Sequence, residues 1–251
     1  MTKRPPRPEG TQGTSAPKRR ALLITHGPNP PCDYVSAALG RRGFARDWRC
    51  LPKGHALPAP DPDLYDLVVV YGGPQLLSDL QPGEEYLLEE VAWARTFVEA
   101  GGRFLGLCLG AQILAKAFGA KVWRHGQGHR EVGFYPIQAT QAGQASADLP
   151  ANMMVYHWHR DGFDLPEGAT LLATGHMFPN QAYSLGPRTL AVQFHPEITD
   201  GMIANWAERA PEDADQAPGA QSRTTHLSGY GQHQARVHAW IEGQLDALLA
   251  A

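Results

Sequence analysis

The sequence lacks several features that would assign it to a large class of proteins. Its 251 residues contain no apolar run near the roughly 18 residues that a membrane-spanning helix needs. The three cysteines, Cys32, Cys50 and Cys108, form neither a CxxC pair nor an even-numbered set. These absences argue against a membrane protein and against a disulfide-stapled secreted domain. A reducing cytoplasm is the location that they favour.

Positive charge is scarce outside the first residues. Residues 1–20 hold six Lys or Arg and one acid, whereas the remaining 231 residues carry 16 basic and 24 acidic groups. Phosphate contacts require clustered Lys and Arg, so this acidic body is unlike a nucleic-acid-binding surface. The basic start is not followed by the apolar stretch of about 7–15 residues that a secretory signal needs. We therefore expect residues 1–20 to be a disordered basic leader.

Short apolar runs alternate with longer amphipathic stretches over residues 21–251. This pattern predicts a single α/β domain with a mostly parallel central sheet flanked by helices, and additional antiparallel strands in its second half. The strands expected before residue 110 are Ala21–Thr25, Phe44–Leu51, Asp66–Tyr71 and Arg103–Cys108, and those after it are Lys121–His125, Glu131–Ala139, Met153–His159, Thr170–Thr174, Gln181–Leu185 and Thr189–His195. The helices expected are Asp33–Arg42, Glu84–Ala100, Leu109–Phe118, Ile198–Arg209 and Arg236–Leu249. Residues 211–235 are poor in apolar side chains and rich in Pro, Gly, Gln and Ser, which predicts a mobile loop.

A cysteine between two glycines is the sharpest local signal. In Gly106-Leu107-Cys108-Leu109-Gly110 the nucleophile stands after a predicted strand and before a predicted helix, as in a nucleophile elbow. Side chains at the two flanking positions would collide with neighbouring backbone in so tight a turn. The turn would present the sulfur at a helix N-terminus, where free N–H groups and the helix dipole favour the thiolate. Taken alone, the motif also fits an inert buried cysteine in a glycine-rich turn.

A histidine and a glutamate follow in Gln193-Phe194-His195-Pro196-Glu197. His195 and Glu197 are two residues apart, so in extended backbone their side chains point the same way. A cysteine nucleophile needs an imidazole to carry protons, and the imidazole needs a partner that fixes its tautomer. A surface turn would explain this segment alone. Together with the cysteine motif, the segment predicts a triad of Cys108, His195 and Glu197.

Five segments, by their order and spacing, resemble the class I (triad) glutamine amidotransferases, and in particular the glutaminase domain of GMP synthase and its stand-alone relatives. They span about residues 21–209 and are Tyr71-Gly72-Gly73-Pro74, Gly106–Gln112, Glu131-Val132-Gly133, Val155–Asp161 and Gln193–Glu197. Arg160 stands where the family's His-Gly-Asp segment has its glycine. The resemblance implies a flavodoxin-like fold.

The resemblance also implies a role for each matched residue. The Cys108 thiolate would attack the side-chain amide of glutamine, with His195 moving protons and Glu197 orienting His195. The backbone N–H groups of Gly73 and Leu109 would form the oxyanion hole. The substrate's α-amino and α-carboxylate groups would be held by three further residues, Gln112, Trp158 and His159.

No metal or other cofactor is expected. His125, His129, His157 and His159 are candidate ligands, but no Asp or Cys at a ligand spacing accompanies them, and the family that the sequence resembles uses none.

Three functions remain open at this point. The first is a glutaminase that passes ammonia to a separate synthetase, since 251 residues leave no room for a synthetase domain. The second is a γ-glutamyl peptidase or hydrolase on the same scaffold, acting on a γ-glutamyl compound with a leaving group larger than ammonia. The third is a non-catalytic regulatory protein that kept the fold, although the presence of all three triad residues argues against it.

Overall fold

The computed structural model describes residues 19–27, 33–209 and 216–251. The predicted leader therefore lies outside the described residues up to residue 18, and Arg20 already begins the first strand. Over the described residues the chain forms eleven strands and six α-helices, nine of the strands joining one sheet in the order β2-β1-β3-β4-β11-β10-β9-β6-β7. The predicted α/β class, with a mostly parallel sheet and added antiparallel strands, is confirmed.

The first half of the sheet is parallel. Its five strands are β1 (Arg20–Thr25), β2 (Ala45–Cys50), β3 (Leu67–Val70), β4 (Phe104–Leu107) and β11 (Thr189–Val192). The helices that connect them are α1 (Tyr34–Arg41), α2 (Tyr86–Glu99) and α3 (Leu109–Ala117), with a short 3-10 turn at Leu51–Lys53. Because β4 and β11 are neighbours and run in the same direction, residues 108 and 193–197 follow adjacent strand ends.

The second half of the sheet is antiparallel. It consists of β10 (Asn180–Ser184), β9 (Thr170–Thr174), β6 (Glu131–Ala139) and β7 (Asn152–His159). A separate pair is formed by β5 (Val122–Arg124) and β8 (Asp161–Phe163). The remaining helices are α4 (Gln141–Ala147), α5 (Asp200–Arg209) and α6 (Arg223–Ala250). In β6 and β7 the register opposes Glu131 to His159 and Gly133 to His157.

Helices cover both faces of the parallel strands. In β1, Ala21 and Leu23 pack with α1 and α6, whereas Leu22 and Ile24 pack with α2 and α3. This burial on both sides explains why the parallel strands are continuous apolar runs instead of alternating ones. Nowhere in residues 19–27, 33–209 and 216–251 is there a helix with the length and apolarity that crossing a membrane requires.

Helix α4 was not predicted from the sequence. Its residues are mostly Gln, Ala, Ser and Gly, and only Gly143 and Ala147 are buried, so it has almost no apolar periodicity. Thr140 caps it by accepting a hydrogen bond from the N–H of Gly143. A Cβ at Gly143 would lie 1.9 Å from the carbonyl oxygen of Leu172, so this contact with β9 requires glycine.

The prediction of a mobile loop over 211–235 is wrong for residues 223–235, which form the first half of α6. The buried positions of this half include His226, Gly229 and Gln234, which are polar or small, so the helical spacing left no apolar stripe to detect. Ser222 caps the helix by accepting a hydrogen bond from the N–H of Thr225. Residues 210–215 lie outside the described part of the chain.

The second half of α6 packs against the sheet, and its burial predicts the effect of two substitutions on stability. Ile241 is fully buried in the core beside α1, so Ile241→Ala should lower the free energy of unfolding by about 2–5 kcal/mol. Leu227 on the same helix is 50% exposed, and Leu227→Ala should change the free energy of unfolding by less than about 0.5 kcal/mol. Urea denaturation measures both, and similar losses in the two variants would contradict this account of the packing.

Candidate active site

Cys108 occupies a strained turn between β4 and α3. Its φ and ψ angles are 51° and −102°, a backbone conformation that non-glycine residues rarely adopt. A Cβ at Gly110 would lie 2.1 Å from the carbonyl oxygen of Val70, and one at Gly106 would lie 2.8 Å from the backbone of Gly110. The two glycines thus let α3 cross close above β3 and β4. The sulfur stands at the N-cap of α3, as the motif predicted.

His195 and Glu197 lie just beyond the end of β11, beside this turn. The backbone N–H of Cys108 donates to the carbonyl oxygen of Val192 over 2.8 Å, which joins the turn to that strand. His195 Nδ1 donates to Glu197 Oε1, also over 2.8 Å, and both residues are 2% exposed. The structure therefore brings together the three residues that the sequence predicted as a triad.

The neighbours of His195 determine its charge. Burial alone would lower the pKa of His195, but the charges of Glu197 and Cys108, with hydrogen bonds to both, raise it to about 10. The imidazole is therefore an imidazolium at neutral pH. A positive charge beside a cysteine sulfur stabilises the thiolate, which is the nucleophilic form.

The loop at Gly72 and Gly73 packs directly against the elbow. A Cβ at Gly72 would lie 2.9 Å from Cε1 of His195 and 3.4 Å from Cβ of Cys108, and one at Gly73 would lie 3.1 Å from the side chain of Leu109. Among the described residues, neither the N–H of Gly73 nor that of Leu109 has a hydrogen-bond acceptor. The two residues predicted to form an oxyanion hole are therefore neighbours, and no described residue accepts a hydrogen bond from either N–H.

A buried histidine–glutamate pair supports this loop. His26 Nε2 and Glu90 Oε2 are 2.8 Å apart, and both side chains are fully buried. A Cβ at Gly73 would lie 2.4 Å from Cβ of His26. Burial acts to lower the pKa of His26, but the charge of Glu90 and the hydrogen bond to it raise that pKa. Sequence reasoning missed this pair because 64 residues separate its members.

A chain of buried amides ends on the sulfur of Cys108. Gln112 Nε2 donates to the carbonyl oxygen of Asp161 over 3.2 Å and to Gln193 Oε1 over 3.1 Å. Gln193 Nε2 then donates to Cys108 Sγ over 3.5 Å. Because a backbone carbonyl can only accept, it orients the Gln112 amide, and Gln112 in turn leaves Gln193 with a donor facing the sulfur. Gln112, predicted to hold substrate, thus uses its amide N–H groups within the protein.

His159, also predicted to hold substrate, belongs to a buried cluster with Glu131 and His157. His159 Nδ1 lies 2.9 Å from the carbonyl oxygen of Asp161, and its Nε2 lies 2.9 Å from Glu131 Oε2. His157 Nδ1 is 3.3 Å from His159 Nε2, and burial lowers the pKa of His157 to about 3. Burial acts to raise the pKa of Glu131, but the two imidazoles and the amide of Gln181 lower it to about 2.

This cluster bears on the expectation that no metal is bound. The ligating atoms of Glu131, His157 and His159 lie within 4.8 Å of one another, so the group could hold a metal ion. The same atoms are also joined by hydrogen bonds, so the absence of a metal stays a prediction. The register of β6 and β7 places Glu131 beside the two histidines, which the spacing along the chain did not reveal.

Trp158, the third residue predicted to hold substrate, lies at the border of the site. Its carbonyl oxygen is 3.9 Å from Cys108 Sγ, and its indole is 5.9 Å from that of Trp206 on α5. The Trp206 indole lies 4.9 Å from the His195 ring at an interplanar angle of 76°. The sequence did not single out Trp206, because its place beside His195 depends on how α5 packs. Both indoles are partly exposed, whereas the side chains of the triad are buried.

Fold and site together define an α/β protein with a cysteine, a histidine and a carboxylate at the ends of adjacent parallel strands. Residues 53–204, more than half of the chain, match the sequence model of the family described as glutamine amidotransferase class-I. The chain therefore belongs to the class I glutamine amidotransferases.

Several characterised or named proteins are similar to this chain. A putative glutamine amidotransferase-like protein, YfeJ, of Salmonella typhimurium is 31% identical over 83% of this chain and 84% of its own length. Gamma-glutamyl peptidase 5 of Arabidopsis thaliana is 28% identical over 59% of this chain and 60% of its own. The glutamine-hydrolyzing GMP synthase of Bacillus velezensis is 37% identical over 40% of this chain, which spans 20% of that enzyme.

Solved structures confirm the fold. A glutamine amidotransferase of Thermotoga maritima superposes with a TM-score of 0.80 at 24% identity, over 94% of this chain and 100% of the other. A glutamine amidotransferase of Methylobacillus flagellatus gives a TM-score of 0.83 at 22% identity, over 94% and 95% of the two chains. The flavodoxin-like, amidotransferase-like fold implied by the resemblance is the fold that the chain adopts.

Titration of His195 tests the charge coupling in the site. The charge of Cys108 helps to raise the pKa of His195 to about 10, so Cys108→Ala should lower that pKa, as NMR of the imidazole would show. Because the folded pKa lies above the ordinary value of 6.5, the protonated imidazole stabilises the fold fully below about pH 6.5. This contribution is lost as the pH rises through about 10. An unchanged His195 pKa in Cys108→Ala would contradict the coupling.

The amide chain predicts how Gln193 affects the nucleophile. Gln193→Glu replaces the donor beside the sulfur with a carboxylate, which repels a thiolate, so alkylation of Cys108 by iodoacetamide at pH 7 should slow by about tenfold or more. Gln144→Glu makes the same change on the exposed face of α4 and should leave the rate unchanged. Equal alkylation rates in the two variants would show that the Gln193 contact does not stabilise the thiolate.

Proposed function

We propose that this chain hydrolyses the γ-carboxamide of L-glutamine to glutamate and ammonia through a γ-glutamyl thioester on Cys108. The observation that carries the proposal is the joint burial of Cys108 and the His195–Glu197 pair, beside the loop of Gly72 and Gly73. A buried imidazolium beside the sulfur supplies both a thiolate and a general acid. This combination is what acyl transfer from an amide requires.

In the first half of the reaction, the thiolate of Cys108 attacks the amide carbon of the substrate. The carbonyl oxygen becomes an oxyanion, which the N–H groups of Gly73 and Leu109 stabilise. His195 gives its proton to the leaving nitrogen, the carbon–nitrogen bond breaks, and the γ-glutamyl thioester forms. Loss of one oxyanion donor typically costs about 2.7–4 kcal/mol in transition-state stabilisation.

In the second half, water replaces the thiol. His195, now neutral, takes a proton from the attacking water, and a second oxyanion forms in the same hole. Its collapse expels the Cys108 thiolate and releases glutamate, and His195 is again protonated. Glu197 holds Nδ1 of the imidazole throughout, which fixes the ring orientation and stabilises its charged form.

The ammonia would pass to a separate synthetase or be released to solvent. The requirement for a thiolate is consistent with a reducing compartment, and the cytoplasm is the location that we propose. The cluster of Glu131, His157 and His159, together with the backbone around Trp158, is our proposed wall of the glutamyl pocket. Glu131 is then a buried negative charge that holds His159 in place.

A second candidate function is the hydrolysis of a γ-glutamyl amide or peptide with a larger leaving group. The observation that favours it is the similarity to gamma-glutamyl peptidase 5 over 59% of this chain. The same thioester would form, and the leaving amine would replace ammonia.

Glutamate release from L-glutamine and from a γ-glutamyl peptide tests both candidates. Cys108→Ala should lower the release by at least about 1000-fold, since no other nucleophile replaces the thiolate. Cys50→Ala is the matched control, because Cys50 is also a buried free cysteine but contacts the carbonyl oxygen of Gly27 instead of the triad. Release that persists in Cys108→Ala would overturn the proposal, and the substrate with the higher kcat/KM decides between the two functions.

A further inference from the structure

The position of His195 determines where a leaving group must sit. When the carbon–nitrogen bond of a γ-glutamyl amide breaks, the departing nitrogen takes the proton of the imidazolium. Nδ1 of His195 is engaged by Glu197, so Nε2 is the atom that delivers the proton. The departing nitrogen must therefore lie within hydrogen-bond distance of Nε2. Any substituent on that nitrogen must contact whatever borders the His195 ring.

Two indoles form the accessible part of that border. The Trp206 indole meets the His195 ring edge to face at 4.9 Å, and the Trp158 indole meets the Trp206 indole edge to face at 5.9 Å. Other sides of the imidazole are filled by the protein, since Gly72 packs against Cε1 and Glu197 against Nδ1. His195 is 2% exposed, whereas both indoles are partly exposed. Trp206 is therefore a partly exposed ring that adjoins His195, and Trp158 adjoins Trp206.

The aromatic surface beside His195 is not complementary to ammonia as the leaving group. Ammonia is small and strongly hydrated, and it gains nothing from an apolar aromatic surface. A ring or bulky apolar group on the departing nitrogen would cover the indole faces and remove their apolar surface from water. Tyr156 and His226 are fully buried and pack against the Trp158 indole, with ring centroids 6.3 Å and 5.6 Å from it.

We propose that Trp206 and Trp158 form a leaving-group subsite that favours γ-glutamyl amides of aromatic or bulky apolar amines over glutamine. The inference rests on the second candidate function, the hydrolysis of γ-glutamyl amides with a larger leaving group, because it concerns the same thioester chemistry at Cys108. It adds the chemical class of the leaving group and two residues that select it. The glutamyl half of the substrate is common to all these compounds, so selectivity resides in the departing amine.

Steady-state kinetics on three substrates test the subsite: L-glutamine, γ-L-glutamyl ethylamide and γ-L-glutamyl benzylamide. The wild-type protein should show its highest kcat/KM with the benzylamide. Trp206→Ala should lower kcat/KM by about tenfold for the benzylamide and by less than about twofold for L-glutamine, since only the larger amine reaches the indole. Trp206→Phe, which keeps an aromatic ring, should retain most of the preference and shows that the effect is not loss of α5.

The control variant replaces a tryptophan outside the proposed subsite. Trp48 is a partly buried tryptophan on β2, at the opposite edge of the sheet, and Trp48→Ala should leave the ratio of kcat/KM between benzylamide and L-glutamine unchanged. Equal losses on both substrates in Trp206→Ala, or no wild-type preference for the benzylamide over the ethylamide, would overturn the subsite alone. Absence of glutamate from all three substrates would overturn the proposed function, and the subsite with it.

Discussion

The close crossing of α3 above β3 and β4 is the constraint on which the rest of the site depends. It exists because Gly110 lets the helix approach the carbonyl oxygen of Val70, and because Gly106 leaves room for the turn. Cys108 is held between them at a positive φ, which costs about 1–3 kcal/mol that the surrounding packing must offset. The same crossing sets Leu109 against the Gly73 loop. These two close contacts thus fix the position of the sulfur and of the helix N-terminus beside the Gly73 loop.

Buried pairs of an imidazole and a carboxylate lie around this turn, and three of them contact different parts of the site. These three are His195–Glu197, His26–Glu90 and His159–Glu131. A buried polar group that loses its hydrogen-bond partner costs free energy. Each pair therefore holds its segment in a single arrangement. The first holds the imidazole of His195, the second lies beside the loop of Gly72 and Gly73, and the third joins β6 to β7, the strand that carries Trp158.

The elements that bury apolar side chains were predictable from the sequence, and so were the residues whose chemistry depends on local spacing. Strands β6 and β9 agree with the predicted bounds. The elbow and the His-Pro-Glu segment were recognisable because their defining residues are close together in the sequence. Contacts made by tertiary packing were not predictable. Gln112 and Gln193 are 81 residues apart, and only the adjacency of β4 and β11 brings them together. The first half of α6 was missed because its buried face is polar, so its contacts are hydrogen bonds and ring contacts that hydrophobic periodicity does not report.

The polar face of the first half of α6 forms part of the border of the site. His226 of α6 packs edge to face against Tyr156 and Trp158, and Trp206 of α5 closes the same aromatic group over His195. A segment that the composition suggested to be mobile is therefore part of the wall beside the nucleophile. These rings border His195, so in the mechanism that we propose any substituent on the departing nitrogen must lie beside them.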